Sequence, residues 1–171
     1  MSQAAGTYAT LNTTEGKITV RLFESDAPVT VKNFIELAEG GKEWTHPTTH
    51  AKSTSKLFDG TVFHRVIPNF MIQGGDPTGT GMGGPGYTVP GEIDAKEHHL
   101  RGSVATARTG DQVNPKRESS GSQFYICLAA QPSLDGQYTV FGGVVEGMDV
   151  VDKIQVGDHI KKVTLASQLP K

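Results

Sequence analysis

The sequence predicts an all-β domain with two helices, and three observations support this fold class. The 171 residues include 21 glycines and 9 prolines, a composition that favours many short strands joined by turns. Several short segments alternate apolar and polar residues, which is the period of a half-buried strand. Two other segments repeat apolar residues at helical spacing. Together these features indicate a barrel with plugged ends, although the pattern alone does not separate a barrel from a sandwich.

Predicted strands make up most of the chain. The first two form a hairpin, in which residues 8–13 and 17–23 flank a short turn. Ile18, Val20 and Leu22 share one face of the second strand because side chains alternate along a strand. The remaining strands are predicted at 61–67, 70–73, 102–107, 122–128 and 138–141, with a closing strand around 163–165.

Two segments predict helices. Asp26 is expected to cap the first helix, since its carboxylate can accept hydrogen bonds from the free amides of a first turn that tolerates Pro28. Apolar residues then recur at positions 31, 34, 35 and 38 until Gly40 and Gly41 end the helix. The second helix is predicted over residues 147–154.

Length, charge and cysteine content limit the class of protein. The length predicts one domain over residues 1–171, with a core from about 8 to 165. A formal net charge of −2 and scattered basic residues argue against nucleic acid or an anionic membrane as the ligand. Cys127 is the single cysteine, so no intramolecular disulfide can form, which fits a reducing compartment.

The location of the protein is predicted from segments that the sequence lacks. No apolar run approaches membrane-spanning length. Residues 1–10 are small and polar, without the basic and apolar regions of a signal peptide. We therefore expect a cytoplasmic protein, and nothing in the sequence indicates more than a monomer.

Four segments stand out as motifs: FHRVIPNFMIQGGD at 63–76, GSVATAR at 102–108, GSQFYI at 121–126 and LDGQYTVFG at 134–142. They resemble the signature blocks of one enzyme family, the cyclophilin-type peptidyl-prolyl cis-trans isomerases. They occur in the family's order and near its spacings, and the resemblance extends over residues 8–165. It implies a closed eight-stranded antiparallel β-barrel capped by two α-helices, with the active groove on the outer face.

The resemblance also implies the activity, which is rotation about X–Pro peptide bonds in peptides and in unfolded or folding protein chains. By this analogy Arg65, Gln73 and Phe70 are catalytic. The residues that would bind substrate are Met71, Ala105, Thr106, Ala107, Tyr125, Ser133, Leu134 and Tyr138. The reaction breaks no covalent bond, so we expect neither a cofactor nor a metal.

Four positions depart from the pattern of animal members. Ser133 stands where those members typically carry a tryptophan that is associated with tight cyclosporin binding, so any binding of cyclosporin A is expected to be weak. Tyr138 replaces a histidine, and Thr106 replaces an asparagine. Tyr125 replaces a phenylalanine, and its hydroxyl requires a hydrogen-bond partner or water.

Other functions find less support. His46 and His50 have the spacing of a helical metal site, but Pro47 between them disfavours a helix. The glycine-rich segment 74–84 lacks the Lys-Ser/Thr ending of a phosphate-binding loop. The main alternative is a proline-peptide binding module or chaperone with weak turnover, and a metal-dependent enzyme is the third candidate.

The remaining polar segments are interpreted as surface. Residues 41–57 have no clear period and predict a long loop, either away from Arg65 or at the edge of the groove. His98 and His99 are interpreted as part of a solvated turn. Cys127 lies in an apolar strand and is expected to be a buried, unreactive thiol.

Overall fold

The computed structural model describes residues 5–94 and 96–168, so residues 1–4, 95 and 169–171 of the predicted domain lie outside the described part. The helices are α1 (Pro28–Glu39) and α2 (Met148–Lys153). The strands are β1 (Ala5–Thr13), β2 (Gly16–Leu22), β3 (Trp44–Thr45), β4 (Lys52–Ser53), β5 (Arg65–Ile67), β6 (Met71–Gly74), β7 (Thr88–Val89), β8 (Ser103–Thr106), β9 (Ser119–Ser120), β10 (Phe124–Cys127), β11 (Val140–Glu146) and β12 (Ile160–Gln168).

Eight strands form one curved antiparallel sheet in the order β12-β1-β2-β11-β8-β10-β6-β5. The other four form two small sheets, β3 with β4 and β7 with β9. The predicted class, all-β with two helices, is confirmed. The second helix lies within its predicted range.

The prediction of a closed barrel is wrong, because the sheet is an open half-barrel whose end strands β5 and β12 do not form a ladder. The segment before β5 was expected to be strand, but it forms only one isolated bridge, between Val62 and His159 just before β12. Backbone hydrogen bonds flank this bridge, among them Ile160 N–H to the carbonyl of Thr61 at 2.9 Å and Phe63 N–H to that of Asp158 at 2.8 Å. Irregular chain therefore occupies the place where a ladder would close the sheet.

The core lies between α1 and the concave face of the sheet. Phe34 of α1 packs on Phe58 with ring centroids 4.8 Å apart, on Phe124 at 6.1 Å and on Phe141 at 5.6 Å. All four rings are buried, and burial of such side chains is a main source of folding free energy. Because this face is filled, the opposite face of the sheet remains available for a binding site.

The start of α1 differs from the prediction. The N-cap residue is Ala27, not Asp26, and its side chain makes no capping hydrogen bond. Instead the carboxylate of Glu92 accepts hydrogen bonds from the amides of Val29 at 3.1 Å and Thr30 at 2.6 Å. A distant acid thus satisfies the free amides that the helix terminus requires, and sequence proximity could not reveal it.

Segment 41–57 is more ordered than an aperiodic loop, because it contains the β3–β4 hairpin. Trp44 is buried, and its indole N–H donates to the carbonyl of Ser55 at 2.9 Å. The amide of Thr45 donates to the carbonyl of Pro85 at 2.9 Å. The hairpin is therefore attached to the glycine-rich loop that precedes β7.

Candidate active site

The sheet register places predicted site residues in one row across four strands. Arg65 of β5 pairs with Gln73 of β6. Tyr125 of β10 pairs with Gln73 on one side and with Ala105 of β8 on the other. Registered neighbours point to the same face of a sheet, so these side chains share the outer face. Ile72, which directly precedes Gln73 in β6, packs into the core.

A cavity of about 120 Å³ opens on this outer face. Most of the predicted residues line it, together with one arginine that was not predicted. The lining residues are Arg65, Phe70, Met71, Gln73, Ala107, Arg108, Tyr125, Leu134 and Tyr138. The lining combines aromatic and aliphatic side chains with the guanidinium groups of Arg65 and Arg108 and the amide of Gln73.

A chain of side-chain hydrogen bonds leads from Arg65 into the glycine-rich loop. The guanidinium donates to Gln73 Oε1 at 3.4 Å, and Gln73 Nε2 donates to Gln123 Oε1 at 2.9 Å. Gln123 Nε2 in turn donates to the carbonyls of Gly81 at 3.0 Å and Gly83 at 2.8 Å. The amide of Gln73 is thereby fixed with its oxygen toward Arg65.

The buried carboxylate of Asp76 holds the glycine-rich loop. It accepts the amides of Thr78 at 2.8 Å, Gly81 at 2.7 Å and Gly83 at 3.0 Å, and the hydroxyl of Thr78 at 2.7 Å. Burial alone would raise the pKa of Asp76, but hydrogen bonds from Thr78, Gly83 and Gly81 together hold that pKa below its usual value. The loop that anchors Gln123 is therefore organised around one anion.

Three predicted residues lie behind or beside the cavity. Ala105 is fully buried beneath it. The hydroxyl of Thr106 bonds that of Ser119 at 2.8 Å, and the amide of Thr106 donates to the carbonyl of Thr139 at 3.0 Å. Ser133 is exposed next to Leu134, outside the cavity lining.

Comparison with known proteins identifies the family. The family model described as "Cyclophilin type peptidyl-prolyl cis-trans isomerase/CLD" matches residues 8–168. The chain belongs to this family. Two relatives illustrate the match. The cyclophilin is 47% identical over 149 residues to peptidyl-prolyl cis-trans isomerase B of Streptomyces anulatus, covering 86% of this chain and 82% of that protein. It is 41% identical over 165 residues to the peptidyl-prolyl cis-trans isomerase of Helicobacter pylori, covering 95% and 88%.

Solved structures support the same assignment. A cyclophilin-type isomerase of Cryptosporidium parvum superposes with a TM-score of 0.79 at 28% identity, covering 97% of this chain and all of the other, 100%. A second structure of that protein, in the presence of the dipeptide Ala-Pro, superposes with a TM-score of 0.77 at 28% identity and covers 94% and 99%.

Two residues of this cyclophilin's site were not predicted: Arg108, which lines the cavity, and Gln123, which bonds Gln73. Gln123 could have been found, because it lies two positions before Tyr125 and strand alternation puts both on one face. Arg108 follows Ala107, and its guanidinium lies 4.5 Å from the ring centroid of Tyr138. Its Nη1 also bonds Asp111 at 3.0 Å. The sequence alone gives no sign that Arg108 folds back over this ring.

The interpretation of His98 and His99 as a solvated turn is half wrong. His98 is exposed, but His99 is buried beneath the cavity. Its Nε2 lies 2.7 Å from the hydroxyl of Tyr125, and its Nδ1 lies 3.0 Å from Asp135 Oδ1. The partner that the Tyr125 hydroxyl requires is thus a histidine that the sequence pattern had placed in solvent.

A larger hollow of about 800 Å³ adjoins the cavity and shares Gln73, Ala107 and Arg108 with it. Pro47, in the turn of the β3–β4 hairpin, also lines this larger hollow. The hairpin therefore borders the groove system without touching the cavity, as the prediction for segment 41–57 allowed.

Two features are absent from the described residues. Residues 5–94 and 96–168 contain no group of three or more His, Cys, Asp or Glu side chains that could hold a metal ion. Over the same ranges, no helix is both long enough and apolar enough to cross a membrane. Cys127 is buried as expected, and burial raises the pKa of its thiol to about 12.

Proposed function

We propose that the outer-face cavity is the active site of this peptidyl-prolyl cis-trans isomerase, with Arg65, Gln73 and Phe70 as its catalytic residues. The observation that carries the proposal is the row from Arg65 through Gln73 to Tyr125, in which a guanidinium and an aromatic ring line the same cavity. The cavity would receive the proline ring between Phe70, Met71, Tyr125 and Leu134.

To catalyse this rotation, the site must stabilise the twisted amide more than the planar one. Rotation about the peptide bond costs about 18–20 kcal/mol, because the C–N bond loses its partial double-bond character. Unaided, the rotation takes on the order of tens to hundreds of seconds. Reaching about 10³ events per second requires that the barrier fall by roughly 7 kcal/mol.

Arg65 suits this task because the twisted amide has a pyramidal nitrogen with a free lone pair. A guanidinium that donates to this nitrogen binds the transition state more strongly than the planar ground state. Gln73, fixed by Gln123, orients the guanidinium with one acceptor and leaves its other donors for the substrate. No nucleophile or metal takes part in this mechanism.

The substrate class extends beyond dipeptides. The solved relative with Ala-Pro supports recognition of this dipeptide here as well. The adjoining hollow offers room for residues that flank the proline, which supports unfolded or folding protein chains as substrates. Cytoplasmic location, a monomeric state and weak cyclosporin A binding are part of the same proposal.

A single pair of variants tests the proposed site. Turnover of an Ala-Pro tetrapeptide is measured by protease-coupled assay and by NMR exchange for the wild type, Arg65→Ala and Arg21→Ala. Arg21 is a control because it is an exposed arginine of β2 outside the cavity lining. We expect Arg65→Ala to lose kcat by about a hundredfold or more, as for removal of one transition-state donor, while Arg21→Ala keeps it.

Normal turnover in a folded Arg65→Ala protein would refute the assignment of Arg65. Absence of turnover in the wild type, with retained binding of proline peptides, would support the alternative of a binding module.

A further inference from the structure

A buried hydrogen-bond chain runs behind the cavity, from Tyr125 through His99 to Asp135. The Tyr125 hydroxyl lies 2.7 Å from His99 Nε2, and His99 Nδ1 lies 3.0 Å from Asp135 Oδ1. The amide of His99 also donates to Asp135 Oδ1 at 2.7 Å. The His99 side chain is fully buried, at 0% exposure.

Elementary acid–base chemistry fixes the protons of this chain. Hydrogen bonds from the His99 amide and the His98 ring lower the pKa of Asp135 to about 2, so the carboxylate only accepts and His99 Nδ1 must donate to it. Burial lowers the pKa of His99 although Asp135 opposes the shift, so the ring is neutral. Its Nε2 then carries a lone pair, and the Tyr125 hydroxyl donates to it.

Aromatic contacts also hold the rings of His99 and Tyr125. Tyr125 stacks on His99 with centroids 5.9 Å apart and planes 13° apart. Tyr138 meets Tyr125 edge-on at 5.8 Å and His99 at 6.1 Å. The guanidinium of Arg108 covers Tyr138. The Tyr125 side of the cavity is therefore held by aromatic contacts as well as by the hydrogen bond to His99.

We propose that His99 and Asp135 are positioning residues of the active site, which act on the substrate only through Tyr125. His99 accepts a hydrogen bond from the Tyr125 hydroxyl, and Asp135 holds His99 in the tautomer that can accept it. Together they hold the Tyr125 ring as a wall for the proline ring. The proposal rests on the proposed function, since it assumes that the cavity receives proline.

His99 matters because the Tyr125 hydroxyl would lose its hydrogen-bond acceptor without it. Among the described residues, the Tyr125 hydroxyl has no hydrogen-bond partner other than His99. A buried hydroxyl without a partner is costly. Because Tyr125 lines the cavity, a ring that turned its hydroxyl toward water there would place that hydroxyl inside the cavity. A polar group would then occupy the place of the proline ring.

Four variants test this role: His99→Leu, Tyr125→Phe, their double variant, and His98→Ala as the matched control. His98 bonds the same carboxylate at 2.9 Å but does not contact Tyr125. We expect His99→Leu to lower kcat/KM for an Ala-Pro tetrapeptide on the order of tenfold, the effect of one unsatisfied buried hydroxyl, and His98→Ala to change it less than twofold.

The decisive comparison is the double variant. Without the hydroxyl there is nothing for His99 to hold, so His99→Leu should have no further effect on kcat or KM in the Tyr125→Phe background. A loss that is equal in both backgrounds, or no loss from His99→Leu in the wild type, would overturn the proposal. All rates are measured on protein whose folding is verified by circular dichroism.

One measurement needs no substitution. The ¹⁵N spectrum of the His99 imidazole in wild-type protein near pH 7 should show one neutral tautomer, with the proton on Nδ1 and a hydrogen bond accepted at Nε2. The opposite tautomer, or a mixture of the two, would contradict the proposed chain. Wild-type turnover is scored in the same experiment, so failure of the proposed function is recognised separately.

Discussion

At the scale of single residues, Arg65 contributes its shape as well as its charge. Its side chain is exposed and bonds Gln73 at 3.4 Å. Arg65→Lys keeps the positive charge but replaces a planar fork of donors with a flexible ammonium. We expect kcat to fall by about tenfold or more, because the transition-state hydrogen bond is lost. Binding of an Ala-Pro peptide, measured by NMR titration, should change little.

The control for this substitution is Arg21→Lys, which should leave both quantities unchanged. If Arg65→Lys retained wild-type kcat, a positive charge alone would suffice. The proposed hydrogen bond to the prolyl nitrogen would then be wrong.

Ser133 offers a second prediction at residue scale. Its side chain is exposed one position before Leu134, which lines the cavity. Ser133→Trp would add an indole at the rim, and an aromatic anchor of that kind strengthens binding by about tenfold or more. We expect tighter inhibition by cyclosporin A with tetrapeptide turnover retained, whereas Ser133→Ala should change neither. Unchanged inhibition of an active Ser133→Trp enzyme would remove Ser133 from the binding surface.

At the scale of elements, the glycine-rich loop depends on Asp76. Four donors from Thr78, Gly81 and Gly83 converge on its carboxylate. Asp76→Asn replaces one accepting oxygen with a donating NH₂, so buried amides lose their partner at a cost of about 1–3 kcal/mol. We expect lower stability in chemical denaturation and, through Gln123, a lower kcat. Asp59→Asn, at an exposed position, is the control. An equal stability for both variants would show that the loop does not need the anion.

The β3–β4 hairpin leads to a prediction about substrate length. Its turn contributes Pro47 to the large hollow but nothing to the cavity. Replacing residues 47–51 with a Gly/Ser turn leaves the Trp44 anchor intact, and a change of loop length alters closure entropy by only about 0.6 kcal/mol per doubling. Tetrapeptide turnover should be preserved, while KM rises for peptides that extend several residues beyond the proline. A collapse of tetrapeptide turnover would place the hairpin in the active site.

Elements also show where sequence patterns succeed and fail. The family resemblance implied Gln73 and Tyr125 as site residues, and strand alternation accounts for their shared outer face, because alternation is a local property of the chain. The cap of α1 was missed because its acceptor, Glu92, lies 62 positions from Thr30. His99 was missed for the same reason, since its partners Tyr125 and Asp135 come from distant segments. Local pattern predicts which face a residue occupies, but not which distant group meets it there.

At the scale of the whole molecule, the open half-barrel also shows that local pattern does not predict contacts between distant segments. Strand count and antiparallel order follow from the pattern and from the family resemblance. Closure of the sheet depends on whether the end strands β5 and β12 meet over several residues. They do not, because β5 begins only at Arg65 and the chain before it is irregular. The groove is unaffected, since β8, β10, β6 and β5 are consecutive neighbours in the sheet.

The acid branch of the stability profile follows from buried histidines. Burial lowers the pKa of both His99 and His64 below the ordinary 6.5. The folded state therefore binds fewer protons than the unfolded state once the pH drops below about 6.5, and stability is lost as the pH falls toward the folded pKa values. A second loss follows below about pH 4, because Asp76 and Asp135 have pKa values lowered by their hydrogen bonds.

At alkaline pH the stability falls as the pH rises, which is the opposite slope, and this completes the last prediction. Burial raises the pKa of the Cys127 thiol to about 12 and that of Tyr125 above its usual range. Their contribution to stability is fully present below the unfolded pKa values and is lost above about pH 9. Urea denaturation from pH 3 to 11 should thus give a plateau between about pH 6.5 and 9. The slope on the acid side should decrease in His99→Leu, because that variant removes one of the two histidines. A stability that rises between pH 6.5 and 5, or an acid slope unchanged by His99→Leu, would show that His99 is not held neutral in the folded protein.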